Sequence, residues 1–338
     1  MMTIHTALVT GANGFIGAAL TRALLRRGVM VRAVCRTPRK GAALAQAGAE
    51  VVRGDVQDLQ RLTDLAKGCD VFFHVAAVMG SAAYTYNVNV LGAQNAIKAA
   101  HAGGAARFVH VSTVAVYGFN VTGSVAEDHP QQPSPNDYYS ITKMHGERLV
   151  WAYAGRTGLP TTVIRPAFVY GEGSTFWSQA LYDLCRRFPM PLVDGGHGHA
   201  HPIYVEDVCD LLIHAAEHPR AVGNAFNAAP DPAPTWADFL GYYARMAGRA
   251  ASIELPLPLL NAAAPLITAL TRLRGTPFDM AGFLRVWGHR ATYSMARTAD
   301  LLGWQPSTSL AEGMRRTELW LRRNRLPESS ELMTTAIK

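Results

Sequence analysis

Apolar residues in the first half of the chain fall in short unbroken runs separated by mixed stretches, the pattern of strands buried on both faces alternating with helices. Residues 7–10 (Ala7-Leu8-Val9-Thr10) are predicted as the first strand. They lead into Gly11-Ala12-Asn13-Gly14-Phe15-Ile16-Gly17 and then a helix over 18–27 that meets no breaker before Gly28. Further strands are predicted over 29–35, 50–55, 70–77 and 107–113, with a long helix over 84–101 between the last two. This alternation predicts an α/β fold built on a doubly wound parallel sheet. Ligands of such sheets bind at the carboxyl ends of the strands, so Gly11, Asp55, Ala76 and Thr113 are expected on one rim.

The glycine-rich turn sits where a strand meets a helix. There it lets the backbone approach a pyrophosphate while the helix N-terminus presents unpaired N–H groups and partial positive charge. That is the dinucleotide-binding (Rossmann) arrangement, with Gly11, Asn13, Gly14, Phe15, Ile16 and Gly17 as cofactor-binding candidates. The second predicted strand runs into Arg36-Thr37-Pro38-Arg39-Lys40, and no Asp or Glu occurs from 29 to 49. An acid near this point selects NAD through the ribose 2′-hydroxyl, whereas arginine accommodates a 2′-phosphate. NADP(H) is therefore the expected cofactor, with Arg36 as first ligand and Lys40 or Arg39 in support; NAD(H) is the alternative.

Tyr139 and Lys143 stand four residues apart in a segment that continues as Gly146-Glu147-Arg148-Leu149-Val150-Trp151. If that segment is helical, the phenol and the ammonium share a face. Moving a tyrosine from a pKa of about 10 to about 7 requires about 4 kcal/mol of preferential stabilisation of the phenolate. A neighbouring lysine cation supplies an effect of that kind.

Taken together, the motifs resemble the extended short-chain dehydrogenase/reductase family, also called the NAD-dependent epimerase/dehydratase family. Those that carry the resemblance are Thr10 to Gly17, Gly54-Asp55, His74-Val75-Ala76-Ala77, Asn87-Val88-Asn89, Ser112-Thr113-Val114-Ala115-Val116-Tyr117-Gly118 and Tyr139 to Lys143. Arg165-Pro166-Ala167-Phe168-Val169-Tyr170-Gly171, His201 to Asp207 and Leu302-Gly303-Trp304-Gln305-Pro306 follow in family order.

The resemblance implies roles residue by residue. Tyr139 would be the general acid or base, and Lys143 would hydrogen-bond the nicotinamide ribose and lower the Tyr139 pKa. Thr113, with Ser112 as neighbour, would orient the reacting oxygen. Asn89 would serve a proton relay or brace its helix. Asp55 would contact the adenine, with Val56, Ala76 and Ala77 also lining the cofactor and Pro166 and Val169 beside the carboxamide. Met79, Thr113 and Phe168 would face the substrate. The implied reaction is hydride transfer between the nicotinamide and a carbonyl or carbinol carbon.

One departure narrows the substrate. Family members acting on nucleotide sugars carry an asparagine where this chain has Phe168, and an arginine near the place occupied by His199-Ala200-His201. Losing an amide and a guanidinium where two phosphates dock removes a main source of phosphate affinity. The resemblance thus shifts to the branch of dihydroflavonol reductases and 3β-hydroxysteroid dehydrogenases, with hydrophobic alcohols or ketones as substrates. A nucleotide-sugar epimerase or dehydratase is the alternative. A non-catalytic NADP-binding sensor is a third reading, opposed by the joint presence of Thr113, Tyr139 and Lys143.

Composition adds limits. With 338 residues and 49% hydrophobic content the chain suits one large or two interleaved domains. The division expected is a dinucleotide-binding unit over 1–171, to which 202–229 and parts of 290–325 return, a substrate-binding unit over 172–201 and 230–289, and a frayed tail over 326–338. The net charge of +7 is dispersed, with clusters only at 36–40 and 315–325, so nucleic acid is not the expected partner. Cys35, Cys69, Cys185 and Cys209 form no Cys-x-x-Cys pair and are expected as reduced thiols, which with the absence of a leader segment points to the cytoplasm.

The apolar stretch 255–273 reads as a wall over an oily pocket, with membrane contact not favoured; three prolines spoil it as a spanning helix. His197-Gly198-His199-Ala200-His201 is expected as a flexible loop without a metal. His74 and His110 are expected as structural or lining residues. The resemblance also implies a homodimer formed through the helices near 84–101 and 138–154.

Overall fold

The computed structural model describes residues 1–249, 252–273 and 280–324; the tail expected over 326–338 lies outside them. In chain order the strands begin with β1 (Thr6–Thr10), β2 (Met30–Cys35), β3 (Glu50–Arg53), β4 (Val71–His74), β5 (Arg107–Val111), β6 (Ser124–Val125) and β7 (Thr161–Pro166). They continue with β8 (Phe168–Tyr170), β9 (Met190–Val193), β10 (Pro202–Tyr204), β11 (Ala225–Ala228), β12 (Ser252–Leu255) and β13 (Thr292–Tyr293).

Seven of these form one sheet in the order β11-β7-β5-β4-β1-β2-β3, and every pairing in it is parallel. Alternation builds its two faces. Ala7, Val9, Val71, Phe73, Val109 and Val111 enter one core, while Leu8, Phe72 and Phe108 enter another on the opposite side. Strands apolar on both faces are what a helix-covered parallel sheet needs, which is why the runs looked continuous in the sequence. Strand order reverses between β1 and β4, so the crevice of the sheet opens beyond Thr10 and His74.

Later segments add paired strands: β8 with β10, β9 with β12 and β6 with β13. A buried polar chain joins β7 and β11 of the sheet to Glu147 on the helix Tyr138–Thr157 and to Tyr117 and Glu127. Arg165 on β7 meets the Glu147 carboxylate at 2.5 and 3.2 Å and donates to the Tyr117 hydroxyl at 2.6 Å; that hydroxyl donates to Asn227 on β11 at 2.8 Å. The Asn227 backbone N–H in turn donates to Glu127 at 2.9 Å.

Several boundaries differ from expectation, each for a local reason. The third, fourth and fifth strands stop at Arg53, His74 and Val111, because the chain turns immediately afterwards. At Gly54 a Cβ would lie 2.9 Å from Val34 Cγ1, and Thr113 caps a 3-10 turn over Val114–Tyr117 by accepting the Ala115 N–H at 3.2 Å. Asp55, Ala76, Ala77, Ser112 and Thr113 therefore lie just past strand ends.

The helix expected over 84–101 starts at Ala82 and runs to Ala102 through a wide π-helical turn at Tyr86–Leu91. It closes on the helix Tyr138–Thr157, where a Cβ at Gly146 would sit 2.3 Å from the Asn89 carbonyl oxygen. The apolar stretch 255–273 is the end of β12 followed by a helix, Leu257–Leu273, with Pro265 inside it.

The histidine segment is not a flexible loop. His199 donates its N–H to the His289 carbonyl at 2.7 Å, a Cβ at Gly198 would lie 2.1 Å from the Trp287 carbonyl oxygen, and His201 is fully buried. No group of three potential ligands able to hold a metal occurs among the described residues.

Candidate active site

The glycine turn is as tight as its composition suggests. Gly11 has φ +68°, and a Cβ there would stand 2.7 Å from Ala76 Cα, so the turn rests on the end of β4. A Cβ at Gly17 would lie 2.1 Å from the Gly11 carbonyl oxygen. The helix Phe15–Arg26 begins at Gly14 with no side-chain cap and no acid in its first turn. Its leading N–H groups are left for an anion, and the three glycines keep a backbone-lined cradle that any side chain would fill. These residues fit a dinucleotide pyrophosphate. Asn13 is exposed, Phe15 and Ile16 are half-buried, and Phe15 lies near Gly173, where a Cβ would be 3.5 Å from its ring.

Around the turn stand the ends of β2 and β3. Arg36 is exposed and donates to the Tyr84 hydroxyl at 2.9 Å; Arg39 and Lys40 are exposed just beyond it. Burial pushes the Cys35 thiol up, opposed by a hydrogen bond from the Asn13 backbone. The Asp55 carboxylate accepts the Gln57 N–H at 3.0 Å. Val56 is buried, and a Cβ at Gly92 would come within 2.6 Å of its side chain, so that side chain is spent on packing.

Tyr139 and Lys143 occupy successive turns at the start of the helix Tyr138–Thr157, whose first turn is capped by Asp137 accepting the Ser140 N–H at 3.1 Å. Lys143 is 2% exposed and donates its ammonium to the Val111 carbonyl oxygen at the end of β5. Burial pulls its pKa down to about 8. Tyr139 is half-buried. Burial, reinforced by the Asp137 carboxylate, pushes its phenol up to about 12. The expectation that Lys143 lowers the Tyr139 pKa is thus not met in the protein alone, because desolvation dominates and the ammonium is turned to a carbonyl.

Asn89 is occupied on both sides of its amide. It accepts the Val78 N–H at 2.9 Å and donates to the Val78 carbonyl at 2.9 Å and to the Thr142 hydroxyl at 3.0 Å. It therefore braces the 78–79 loop against the Tyr139 helix. His74 and His110 lie under this floor, stacked 5.4 Å apart and fully buried. Burial, then the Lys143 charge, holds His74 at about 3 and His110 well below its usual value, so both rings are neutral. The Thr10 hydroxyl bonds His74 Nδ1 at 2.9 Å and accepts the Ala76 N–H at 3.5 Å.

On the far side the Thr113 hydroxyl meets the Pro166 carbonyl at 3.5 Å, joining the ends of β5 and β7. Gly11, Ala76, the Lys143–Val111 contact, Thr113 and Pro166 thus follow one another along the ends of adjacent strands β1, β4, β5 and β7. Val169 is buried in β8, paired with Ile203. Phe168 is 7% exposed, stacks on Trp177 at 4.4 Å and packs on Trp236 at 5.7 Å and Phe119 at 6.4 Å. Its ring is thus mostly wrapped by other rings. Met79 is 61% exposed in the loop past β4. Two cavities of about 240 and 280 Å³ elsewhere among the described residues share no residue with this rim.

Sequence reasoning passed over Thr10, Val111, Thr142 and Gly146. Only Thr10 carried a signal, as a polar residue closing an apolar strand. Val111 acts through its carbonyl, which any residue has.

The model of the NAD dependent epimerase/dehydratase family matches residues 7–229. The 4-hydroxy-2-methyl-3-oxo-4-farnesyl-3,4-dihydroquinoline-1-oxide ketoreductase of Stigmatella aurantiaca is 33% identical over 299 residues, 87% of each chain. The 3beta-hydroxysteroid-dehydrogenase/decarboxylase isoform 1 of Arabidopsis thaliana is 27% identical over 349 residues, 93% of this chain and 79% of that one. Among solved structures, MoeE5 in complex with UDP-glucose and NAD superposes with a TM-score of 0.74 at 26% identity, over 95% of this chain and 100% of that one. This chain belongs to the NAD dependent epimerase/dehydratase family, the extended short-chain dehydrogenases/reductases, and is an NAD(P)-dependent enzyme.

Proposed function

We propose that the chain interconverts an alcohol and a ketone on a hydrophobic small molecule, with Tyr139 exchanging the proton on the reacting oxygen. The observation that carries this reading is the buried Lys143, held against Val111 one helical turn from Tyr139 and beside Thr113 on the strand-end rim. A lysine is rarely buried without a task, and here no carboxylate bonds it.

The nicotinamide of a bound cofactor would supply or accept the hydride. Gly11, Gly14 and Gly17 would hold its pyrophosphate, and Asp55 its adenine end. Lys143 would hydrogen-bond the nicotinamide ribose of a bound cofactor, and its positive charge would offset the desolvation that holds the Tyr139 phenol up. Thr113 donates to the substrate oxygen, and Tyr139 gives it a proton in reduction or takes one in oxidation. Asn89 acts as a positioning residue through Thr142.

NADP(H) is the preferred cofactor in this reading, supported by Arg36 exposed at the end of β2 with no acid beside it. Hydrophobic substrates are supported by the ring cluster around Phe168 and by the ketoreductase and hydroxysteroid dehydrogenase named among the relatives. The UDP-glucose of MoeE5 supports a nucleotide-sugar substrate, but Phe168 offers no hydrogen bond to a diphosphate. The substrate side would be built from 172–201 and 230–289, and a homodimer would form through Gly92–Ala102 and Tyr138–Thr157, where Tyr86 and Leu91 are exposed nearby. Among the described residues no helix is long and apolar enough to cross a membrane.

Purified protein with NADPH and a panel of cyclic ketones tests the reading. Ketone-dependent NADPH oxidation that disappears in Tyr139→Phe is expected. Turnover retained in that variant, or a melting temperature raised by UDP or dTDP rather than by NADPH, would overturn it.

A further inference from the structure

Arg36 and Tyr84 come from opposite sides of the glycine turn. Arg36 directly follows β2, whereas Tyr84 stands in the short helix Ala82–Thr85 beyond the end of β4. In the sheet β2 and β4 are the two neighbours of β1, the strand that feeds the turn. The Arg36 guanidinium nevertheless donates to the Tyr84 hydroxyl at 2.9 Å, across 48 positions of the chain. One hydrogen bond thus joins the two flanks of the crevice in which the cofactor is proposed to lie.

The tyrosine is delivered to this place by a framed segment. At one end Asn89 holds both backbone groups of Val78, each at 2.9 Å. At the other, the buried Thr85 donates its hydroxyl to the Ser81 and Ala82 carbonyls at 3.0 Å and its N–H to the Ser81 carbonyl at 2.9 Å. Between them Gly80 has φ +152°, and a Cβ there would stand 3.5 Å from the Tyr84 ring, so the arc folds back against that ring. Tyr84 is still 38% exposed and Arg36 is exposed, which leaves both open to an anion.

The polarity of the contact suits a phosphate. Because the Tyr84 hydroxyl accepts from Arg36, its own hydrogen is left to donate, and Arg36 keeps the rest of its N–H fork. A phosphate monoester offers charge and several acceptor oxygens to such a pair, whereas a ribose 2′-hydroxyl offers one oxygen and no charge. The two segments also carry no acid to repel it: there is no Asp or Glu from 29 to 49 or from 71 to 126.

We propose that Tyr84 is a second ligand of the adenosine 2′-phosphate, donating its hydroxyl hydrogen to the group that Arg36 pairs with. NADP(H) is then selected by a clamp drawn from two segments rather than by the end of β2 alone. The proposal rests on the reading of NADP(H) as the preferred cofactor. A tyrosine that only pinned its own segment would act on both cofactors alike, because NADP(H) and NAD(H) differ solely at the 2′ position.

The test is calorimetric titration of the full chain with NADPH, NADH, 2′,5′-ADP and 5′-AMP. Tyr84→Phe keeps the ring that meets Gly80 and removes only the hydroxyl. It should weaken NADPH and 2′,5′-ADP about tenfold while NADH and 5′-AMP stay within about twofold. Unchanged affinity for 2′,5′-ADP, or equal losses for NADPH and NADH, would overturn the proposal. Arg36→Met separates it from the reading beneath it. A wild-type chain that binds 2′,5′-ADP no tighter than 5′-AMP removes the cofactor preference and the clamp together. A preference lost in Arg36→Met but kept in Tyr84→Phe removes the clamp alone.

Discussion

Lys143 reaches across from its helix to the carbonyl oxygen of Val111, so the cation nearest the proposed reaction centre is anchored by the sheet. Burial sets its pKa at about 8 instead of 10.5. Between those values the unfolded chain binds a proton that the native chain does not, so stability rises with pH across that window. Below pH 8 the charged form costs about 3 kcal/mol at about 1.36 kcal/mol per unit. Lys143→Met should therefore keep or raise the melting temperature of the ligand-free protein at pH 7, flatten its rise between pH 8 and 10, and abolish turnover. Calorimetry across pH together with activity assays checks all three.

Tyr139, at about 12, stays protonated in the ligand-free protein throughout the neutral range. In the proposed reaction, reduction would use that proton and oxidation would need it gone. Oxidative kcat/KM should climb with pH where reductive kcat/KM falls, both limbs vanishing in Tyr139→Phe along with about 10²- to 10⁴-fold in rate. Parallel pH profiles in the two directions would count against the assignment.

Gly17→Ala puts a methyl 2.1 Å from the Gly11 carbonyl oxygen. Overpacking of this kind costs about 1–3 kcal/mol and displaces the turn. Denaturant unfolding should show the loss, and titration with NADPH should show affinity falling well beyond it.

Arg165 and Glu147 form a bidentate pair with side chains 6% and 1% exposed. Removing one partner strands the other charge, so Arg165→Met should cost about 3–5 kcal/mol, much of it restored by adding Glu147→Met. Urea unfolding of the single and double variants decides whether the loss comes from the isolated carboxylate.

Arg36 stands exposed at the end of β2. Arg36→Asp should shift cofactor preference from NADP(H) toward NAD(H) by about tenfold or more while leaving stability unchanged. The ratio of kcat/KM for the two cofactors is the readout; an unaltered ratio would move the 2′-phosphate contact elsewhere.

The sheet could be read from the sequence because Ala7 to Val9 and Val71 to Phe73 are buried on both faces and so appear as unbroken apolar runs, and Phe108 to Val111 is interrupted only by the buried His110. The Tyr139 helix is different. Its buried positions include Ser140, Thr142, Lys143, Gly146 and Glu147, so no hydrophobic stripe announces it, and only the motif drew attention to it. The Lys143 orientation was out of reach because it depends on a main-chain oxygen. The packing of His197 to His201 was hidden for a related reason: it is held by carbonyls of His289 and Ala291, which lie about ninety residues away in the chain. The glycines around those histidines suggested slack, but Gly198 is there to admit the Trp287 backbone.

Gly146 carries no functional group, yet the Tyr138–Thr157 helix seats on the Asn89 carbonyl only because a hydrogen stands in place of a side chain. One methyl at this point would wedge two helices apart and tilt the proposed proton donor away from the proposed cofactor cleft without touching either. The accuracy of the proposed chemistry is thereby set by a contact that does none of it, so a damaging substitution in this enzyme need not fall on any residue that meets a ligand.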